Sequence, residues 1–415
     1  MALKLPTADS APGYFYQFLG AHSLLIGLLP FFLPVYLWQH GLDLAGLSLL
    51  IGVSGLSFTA ALGLWQILAR SCQLKQLITL TFVLELMLLG VVGLMTTVPG
   101  ASLFTAPGHE TSISVSALVF SATILGLCNG LYNAFFWTTQ RTLFIQLLGN
   151  NDSGRQYGNF QIFVMIFLKI GILLGGLLLE TGGFVWLLAL SAGTSLIANL
   201  HLAGKQIGKK VLTPSRDRSH TVSLLGSLRY KDERGSRSSF LVDGIFLYLE
   251  SHFWTLTLFL VVSEDFGRLG FAVVILALVF AALFYLIKNR IDQLVARQVY
   301  RAAAWLYAGS WLLRFTLDGH SSGPSLWIAL ILITFLSSFF RLAYNKRFFD
   351  VAQQTDSQSY LLMKSYSSQF WLGIVYFLLG VVLFVIPLPH HQLLQYLYLP
   401  AALLSTLYLR YSDRS

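Results

Sequence analysis

The chain has 415 residues, of which 55% are hydrophobic and 11% charged, with a formal net charge of +9 and a mean hydropathy of +0.69. A soluble domain carries about 25% charged residues, so this composition excludes one. Cys72 and Cys128 are its two cysteines, which excludes a disulfide framework and a cysteine-based metal set.

Apolar runs of about 20 residues recur, the length a helix needs to cross ~30 Å of hydrocarbon. Outer-membrane strands would instead alternate apolar and polar residues over ~10 positions. The sequence therefore predicts an all-α polytopic membrane protein with about twelve transmembrane helices. Met1 to Phe15 lacks a cleavage-site pattern and is expected to be a retained cytoplasmic segment. In chain order, spans 1 to 6 are expected at Tyr16 to Trp38, Leu44 to Ala69, Lys75 to Thr97, Val115 to Arg141, Gly158 to Leu179 and Phe184 to Leu202. Spans 7 to 12 are expected at Phe240 to Val262, Gly270 to Ile287, Arg301 to Leu317, Pro324 to Lys346, Ser365 to Ile386 and Gln392 to Tyr411.

Loop charge orients these spans. Arg70, Lys75, Arg155, Lys288, Arg290, Arg297, Lys346 and Arg347 lie in the even-to-odd loops, and nine basic residues lie between Lys205 and Arg237. Arg268 is the one basic residue in the odd-to-even loops. By the positive-inside rule both termini are expected in the cytoplasm, which implies an even number of spans. The same bias accounts for the basic central stretch, so no nucleic-acid partner is expected. That stretch divides the chain into a six-helix half at residues 1–203, a basic cytoplasmic loop at 204–239 and a second six-helix half at 240–415. Such halves often arise as repeats. Tyr132-Asn133 in span 4 and Tyr344-Asn345 in span 10 support one and align Asn129 with Arg341.

Ionisable groups at membrane depth are costly and are the best functional pointers in such a sequence. Asp243 and Glu250 in span 7 are seven apart and share a helix face, which Trp254 and Thr257 continue. Glu250 lies near the midplane, ~16 Å from the inner face at 1.5 Å per residue. It is a candidate proton-coupling group or a member of a structural ion pair. His252 points to another side. Lys169 in span 5 sits at a similar depth, and either pairs with Glu250 or finds polar groups in its own half. Span 4 presents Asn129, Asn133, Phe136 and Gln140 on one face, with Tyr132 beside it. Span 10 presents Ser337, Arg341 and Asn345, with Tyr344 adjacent. Arg341 offers a planar fork for a substrate anion or a structural partner for Asp243. His22 in span 1 is a candidate titrating group or a packing histidine. No GxxxxGK[ST] loop is present, and neither cofactor nor metal is expected.

Six plus six helices, cytoplasmic termini, a basic central loop and about 400 residues resemble the major facilitator superfamily. Its loop motif between spans 2 and 3 has a glycine, an aspartate and clustered basic residues; GLWQILARSCQLK here has Gly63, Arg70 and Lys75 but no aspartate. GILLGGLLLETGG in span 5, with Gly171, Gly175, Gly182 and Gly183, is similar to the glycine-proline motif of proton-driven exporters, with Gly176 where proline would stand. Glycines four apart also serve close helix packing. The resemblance implies that spans 1, 4, 7 and 10 line a central cavity between rocking halves, and that spans 3, 6, 9 and 12 lie outside it. Glu85 and Arg314 are accordingly expected to be structural.

The function expected is secondary active transport of a small organic solute by alternating access, coupled to protons. Its setting is the plasma membrane, a bacterial inner membrane, with lipids around a monomer. The proton-coupling candidates are Glu250, Asp243 and His22. Those for the substrate cavity are Asn129, Tyr132, Asn133, Gln140, Lys169, Trp254, Arg341, Tyr344 and Asn345. A lipid or lysolipid flippase on the same fold is the alternative. A membrane-embedded enzyme fits less well, because the carboxylates and histidines are scattered.

Overall fold

The computed structural model describes residues 11–97, 115–147, 153–205, 221–291, 295–317, 323–385 and 390–411. Every regular element among them is helical. Span 1 forms as two helices, α1 (Ala11–Leu28) and α2 (Leu33–Gln39). Pro30 has no N–H to offer the Ile26 carbonyl, which accepts from Phe31 instead (3.0 Å). Pro34 then fits the first turn of α2. Span 2 is α3 (Leu44–Ser71), capped by the Asp43 carboxylate, which accepts from Gly46 N at 2.7 Å. Spans 3 to 6 are α4 (Leu74–Thr97), α5 (Val115–Leu147), α6 (Ser153–Thr181) and α7 (Phe184–Gly204).

The described part of the central segment contains a short helix, α8 (Leu224–Arg229), packed against span 11. Gln66 of span 2 anchors its approach, donating to Val222 O (3.1 Å) and accepting from Val222 N (3.2 Å). Span 7 follows as α9 (Ser236–Tyr248), a π-helical turn at Leu249–Phe253, and α10 (Trp254–Val261). It starts after Gly235, whose φ is +74° and whose Cβ, were there one, would lie 2.1 Å from Arg410 O. Only glycine suits both the left-handed backbone and that contact.

Spans 8 to 12 are α11 (Phe266–Ile291), α12 (Ala296–Phe315), α13 (Gly323–Gln353), α14 (Ser357–Val385) and α15 (His390–Ser405), the last running into a 3₁₀ turn at Thr406–Arg410. Span 11 begins at Ser357 rather than Ser365, which brings Lys364 into the helix. Ten of the spans are long and apolar enough to cross a membrane on length and composition. Of the other two, α12 carries Arg297, Arg301 and Arg314, and α15 has 16 residues and an internal Pro400. Large apolar side chains face outward, among them Ile197, Leu286 and Leu403, each about 70% exposed or more (69%, 72% and 74%). Outward faces of this kind suit a lipid environment.

Packing repeats between the halves. Spans 1·5, 2·4, 3·4, 3·6 and 1·6 pack together, and so do 7·11, 8·10, 9·10, 9·12 and 7·12, each number raised by six. The contacts between halves obey the same rule: span 2 packs on span 11, and span 8 on span 5. This reciprocal pairing is what a pseudo-two-fold axis requires.

Small residues permit these approaches. A Cβ on Gly27 would lie 2.3 Å from Leu168 O, and one on Gly171 would lie 2.3 Å from Leu24 O. The span 5 glycines Gly171 and Gly175 therefore serve close packing on span 1. Gly176 instead faces span 8, at Phe266 O. Between spans 2 and 11, a Cβ on Gly52 would meet Phe377 N at 2.5 Å.

Candidate functional site

Span 4 carries a ladder of polar side chains spaced four apart. Trp137 Nε1 donates to Asn133 Oδ1 (3.0 Å). Asn133 Nδ2 donates to the backbone and side-chain oxygens of Asn129 (both 2.8 Å), and Asn129 Nδ2 donates to Ser54 Oγ of span 2 (2.9 Å). The ladder thus runs 129, 133, 137, not 129, 133, 136, 140. Phe136 turns toward His22 instead, with ring centroids 4.2 Å apart, and Gln140 is buried outside the cavity.

Beside the ladder, Tyr132 donates to Glu85 Oε1 (3.2 Å) and Ser195 of span 6 donates to Glu85 Oε2 (2.7 Å). His22 stacks on Phe82 at 4.3 Å. Its Nδ1 lies 3.7 Å from Glu85 Oε1, too far for a hydrogen bond, and neither ring nitrogen has a hydrogen-bond partner among the described residues.

Glu85, Asn129, Tyr132, Asn133 and Trp137 bound a cavity of about 350 Å³, with His22 behind Glu85 and outside the lining. Leucines from spans 1 to 4 form most of its apolar lining. Its polar lining is Glu85, Asn129, Tyr132, Asn133, Trp137 and Ser191 on the N-terminal half. Among the described residues, the opposite wall comes from span 7, through Leu247, Tyr248, Ser251 and His252. The halves meet on both sides of the cavity. Phe144 packs on Phe349 at 5.3 Å and Arg141 donates to Ser365 toward the chain termini. Phe32 packs on Phe266 and α2 on α10 at the other end.

Glu250 faces away from this cavity, into a buried charge cluster in the C-terminal half. Arg341 donates from Nε to Glu250 Oε2 (2.9 Å) and from Nη1 to Asp243 Oδ1 (2.8 Å). Lys364 Nζ is 2.9 Å from Asp243 Oδ2. Arg314 stacks between Trp254 (4.7 Å) and Trp311 (4.0 Å), donates to Ser310 and Ser337, and comes within 4.0 Å of Glu250 Oε1. Three cations therefore share two carboxylates. The π-turn separates the two environments: Ser251 and His252 line the cavity while Glu250 enters the cluster. π-bulges of this kind concentrate at functional positions.

Of the residues expected at a substrate cavity, Asn129, Tyr132 and Asn133 line this one. Lys169, Trp254, Arg341, Tyr344 and Asn345 do not. Trp254 and Arg341 belong to the charge cluster, and Tyr344 accepts from Ser239 (2.8 Å) and lies under Lys364. Lys169 forms no ion pair among the described residues, so the expected alternative of a Lys169–Glu250 pair is replaced by Arg341–Glu250. The reason is reach: Arg341 touches both span 7 carboxylates at once. Arg341 is correspondingly committed to Asp243 and Glu250 and is not positioned as a clamp for a substrate anion in this cavity. Sequence reasoning missed Lys364, Trp137 and the cavity roles of Glu85 and His252. The signal for Glu85 was a lone carboxylate in an otherwise apolar run.

The helical architecture, the outward apolar faces and the reciprocal packing of two halves around a central cavity define a multi-pass, all-α membrane protein. The chain is similar over nearly its full length to the nucleoside transporter NupG. Its crystal structure aligns with a TM-score of 0.65 at 14% identity, covering 96% of this chain and 98% of that one. A mutant form of the same transporter aligns with a TM-score of 0.64 at 14% identity, over 95% and 98%. No family model and no curated protein matches by sequence, so the likeness is one of fold.

Proposed function

We propose that the protein is a secondary active transporter that carries a small neutral solute by alternating access, with a proton gradient as its driving force. The observation that carries this reading is the cavity between the halves. A volume of about 350 Å³ falls in the range of small-molecule sites, ~300–1,000 Å³. Among the described residues, its lining combines apolar wall with amide, hydroxyl and imidazole groups and one carboxylate, and includes no Lys or Arg. Such a lining disfavours an anion and suits a ring-bearing, hydrogen-bonding neutral molecule. A nucleoside has this chemistry, and the name of the structural neighbour points the same way. The reading places both termini in the cytoplasm, as the loop charges suggest, and takes the protein as a monomer in a bacterial inner membrane.

The test is uptake of labelled nucleosides and nucleobases into proteoliposomes, with and without an inward proton gradient. Saturable uptake accelerated by the gradient is expected. If no solute of this class enters or competes while a labelled lysolipid changes leaflet, the flippase alternative takes its place.

A further inference from the structure

We propose that Glu85, backed by His22, is the proton-binding site of this transporter, in place of the span 7 carboxylates. The inference rests on the transport reading above but names a different residue from those the sequence favours. A coupling group must gain and lose a proton as the cavity changes access. Asp243 and Glu250 are poorly placed to do so. Asp243 is held by Arg341 and Lys364, and Glu250 by Arg341 with Arg314 nearby. A proton on either would leave a buried cation short of its counter-charge. Neither residue lines the cavity.

Glu85 differs on each count. It lines the cavity. Its two bonds come from neutral hydroxyls, Tyr132 of span 4 and Ser195 of span 6. Among the described residues, the one potentially cationic group that the structure pairs with it is His22 of span 1. Across the cavity it faces Tyr248 and His252 of span 7. Lys169 of span 5 makes no ion pair with it.

His22 supplies the second observation. It is fully buried, yet both ring nitrogens lack hydrogen-bond partners among the described residues. An orphaned buried polar group calls for an explanation. A proton arriving from the cavity can bond to Glu85 Oε1 and give a neutral carboxylic acid. That acid O–H can then donate to Nδ1 of neutral His22, once the present 3.7 Å gap closes to about 2.7–2.9 Å. The proton is thereby held between the two groups, and it leaves by the same cavity when the other face opens. Phe82 and Phe136 keep the imidazole on the line of approach.

The test uses the full chain in lipid nanodiscs and needs no substrate. Infrared difference spectra are recorded across a titration from about pH 5 to pH 9, a range that brackets shifted carboxyl and imidazole groups. The expected result is a carboxylic-acid carbonyl band that grows as pH falls, persists in Glu250→Gln and disappears in Glu85→Gln. His22→Phe, which keeps the ring stack, is expected to keep the band but move its frequency and midpoint. A band retained in Glu85→Gln and lost in Glu250→Gln overturns the proposal, as does the absence of any titrating band in the parent protein. If Glu85→Gln does not fold, Tyr132→Phe and Ser195→Ala take its place; each removes one hydroxyl donor, and an unchanged band in both also overturns it. Proteoliposome counterflow then separates the two readings. Loss of gradient-driven accumulation in Glu85→Gln with exchange retained supports both. A Glu85 band without movement of any solute supports the site and removes the transport reading.

Discussion

Replacing Arg341 by methionine tests whether the C-terminal charge cluster holds span 7 in place. The change removes the 2.8 Å bond to Asp243 and the 2.9 Å bond to Glu250 while keeping most of the side-chain volume. Asp243 keeps Lys364 at 2.9 Å and Tyr408 at 3.3 Å. Glu250 keeps Arg314 at 4.0 Å and the nearby Tyr307 hydroxyl, and its Oε1 has no hydrogen bond among the described residues. Stranding a buried charge in this way costs about 3–5 kcal/mol. The side chains of Arg341 and Glu250 are each 20% exposed, which favours the lower end. Adding Glu250→Gln removes the stranded charge and is expected to restore about 1–3 kcal/mol, the range of coupling between contacting residues. Reversible unfolding in mixed detergent micelles, followed by tryptophan fluorescence, measures both. A single variant within about 1 kcal/mol of the parent, as for an exposed pair, would falsify the argument. So would a double variant no more stable than the single.

Gly52→Val is expected to destabilise the span 2–span 11 seam by about 1–3 kcal/mol, because a Cβ there meets Phe377 N at 2.5 Å; unchanged thermal unfolding speaks against this contact. Asn133→Ala removes the centre of the span 4 ladder, and a KM about five- to tenfold higher with little change in unfolding temperature is expected; an unchanged KM means that the ladder does not position solute. Cysteines placed at Glu233 and Glu264, both exposed, in a background without Cys72 and Cys128, are expected to react with an impermeant maleimide from opposite sides. Labelling of both from one side refutes the orientation.

The spans and the polar face of span 4 were legible because apolar run length and helical period are local properties. What escaped depends on neighbours. Glu85 was visible as an ionisable residue in span 3, but expectation placed that span outside the cavity. In the structure the carboxylate passes between Tyr132 and Ser195 and reaches the cavity edge. Lys364 falls one residue before the expected start of span 11 at Ser365, although Leu361, Leu362 and Met363 already continue the helix. The Asp243–Arg341 pair was one of two readings of Arg341, and only three-dimensional packing selects it. Phe136 and Trp137 are adjacent, and which of them faces the cavity depends on a small rotation of span 4.

The π-turn had no local signal, yet it joins the cavity to the charge cluster. A π-turn amounts to one extra residue in an α-helix. Deleting Ser251 is therefore expected to restore α-helical bonding while leaving both flanks in register: Asp243 on Arg341 before it, and Trp254 on Arg314 and Thr257 on Tyr398 (2.5 Å) after it. The protein is expected to fold, with unfolding within about 1–2 kcal/mol of the parent, because few buried contacts change. The surface that span 7 gives the cavity changes completely, since Ser251 is gone and His252 takes a new direction beside Glu250. Solute uptake, or solute-induced thermal stabilisation, is expected to be lost. Normal uptake by the deletion variant would show that the turn is incidental. An unfolded variant would show instead that the extra residue sets the register of span 7 on spans 9 and 12, and that the flanks are not independent.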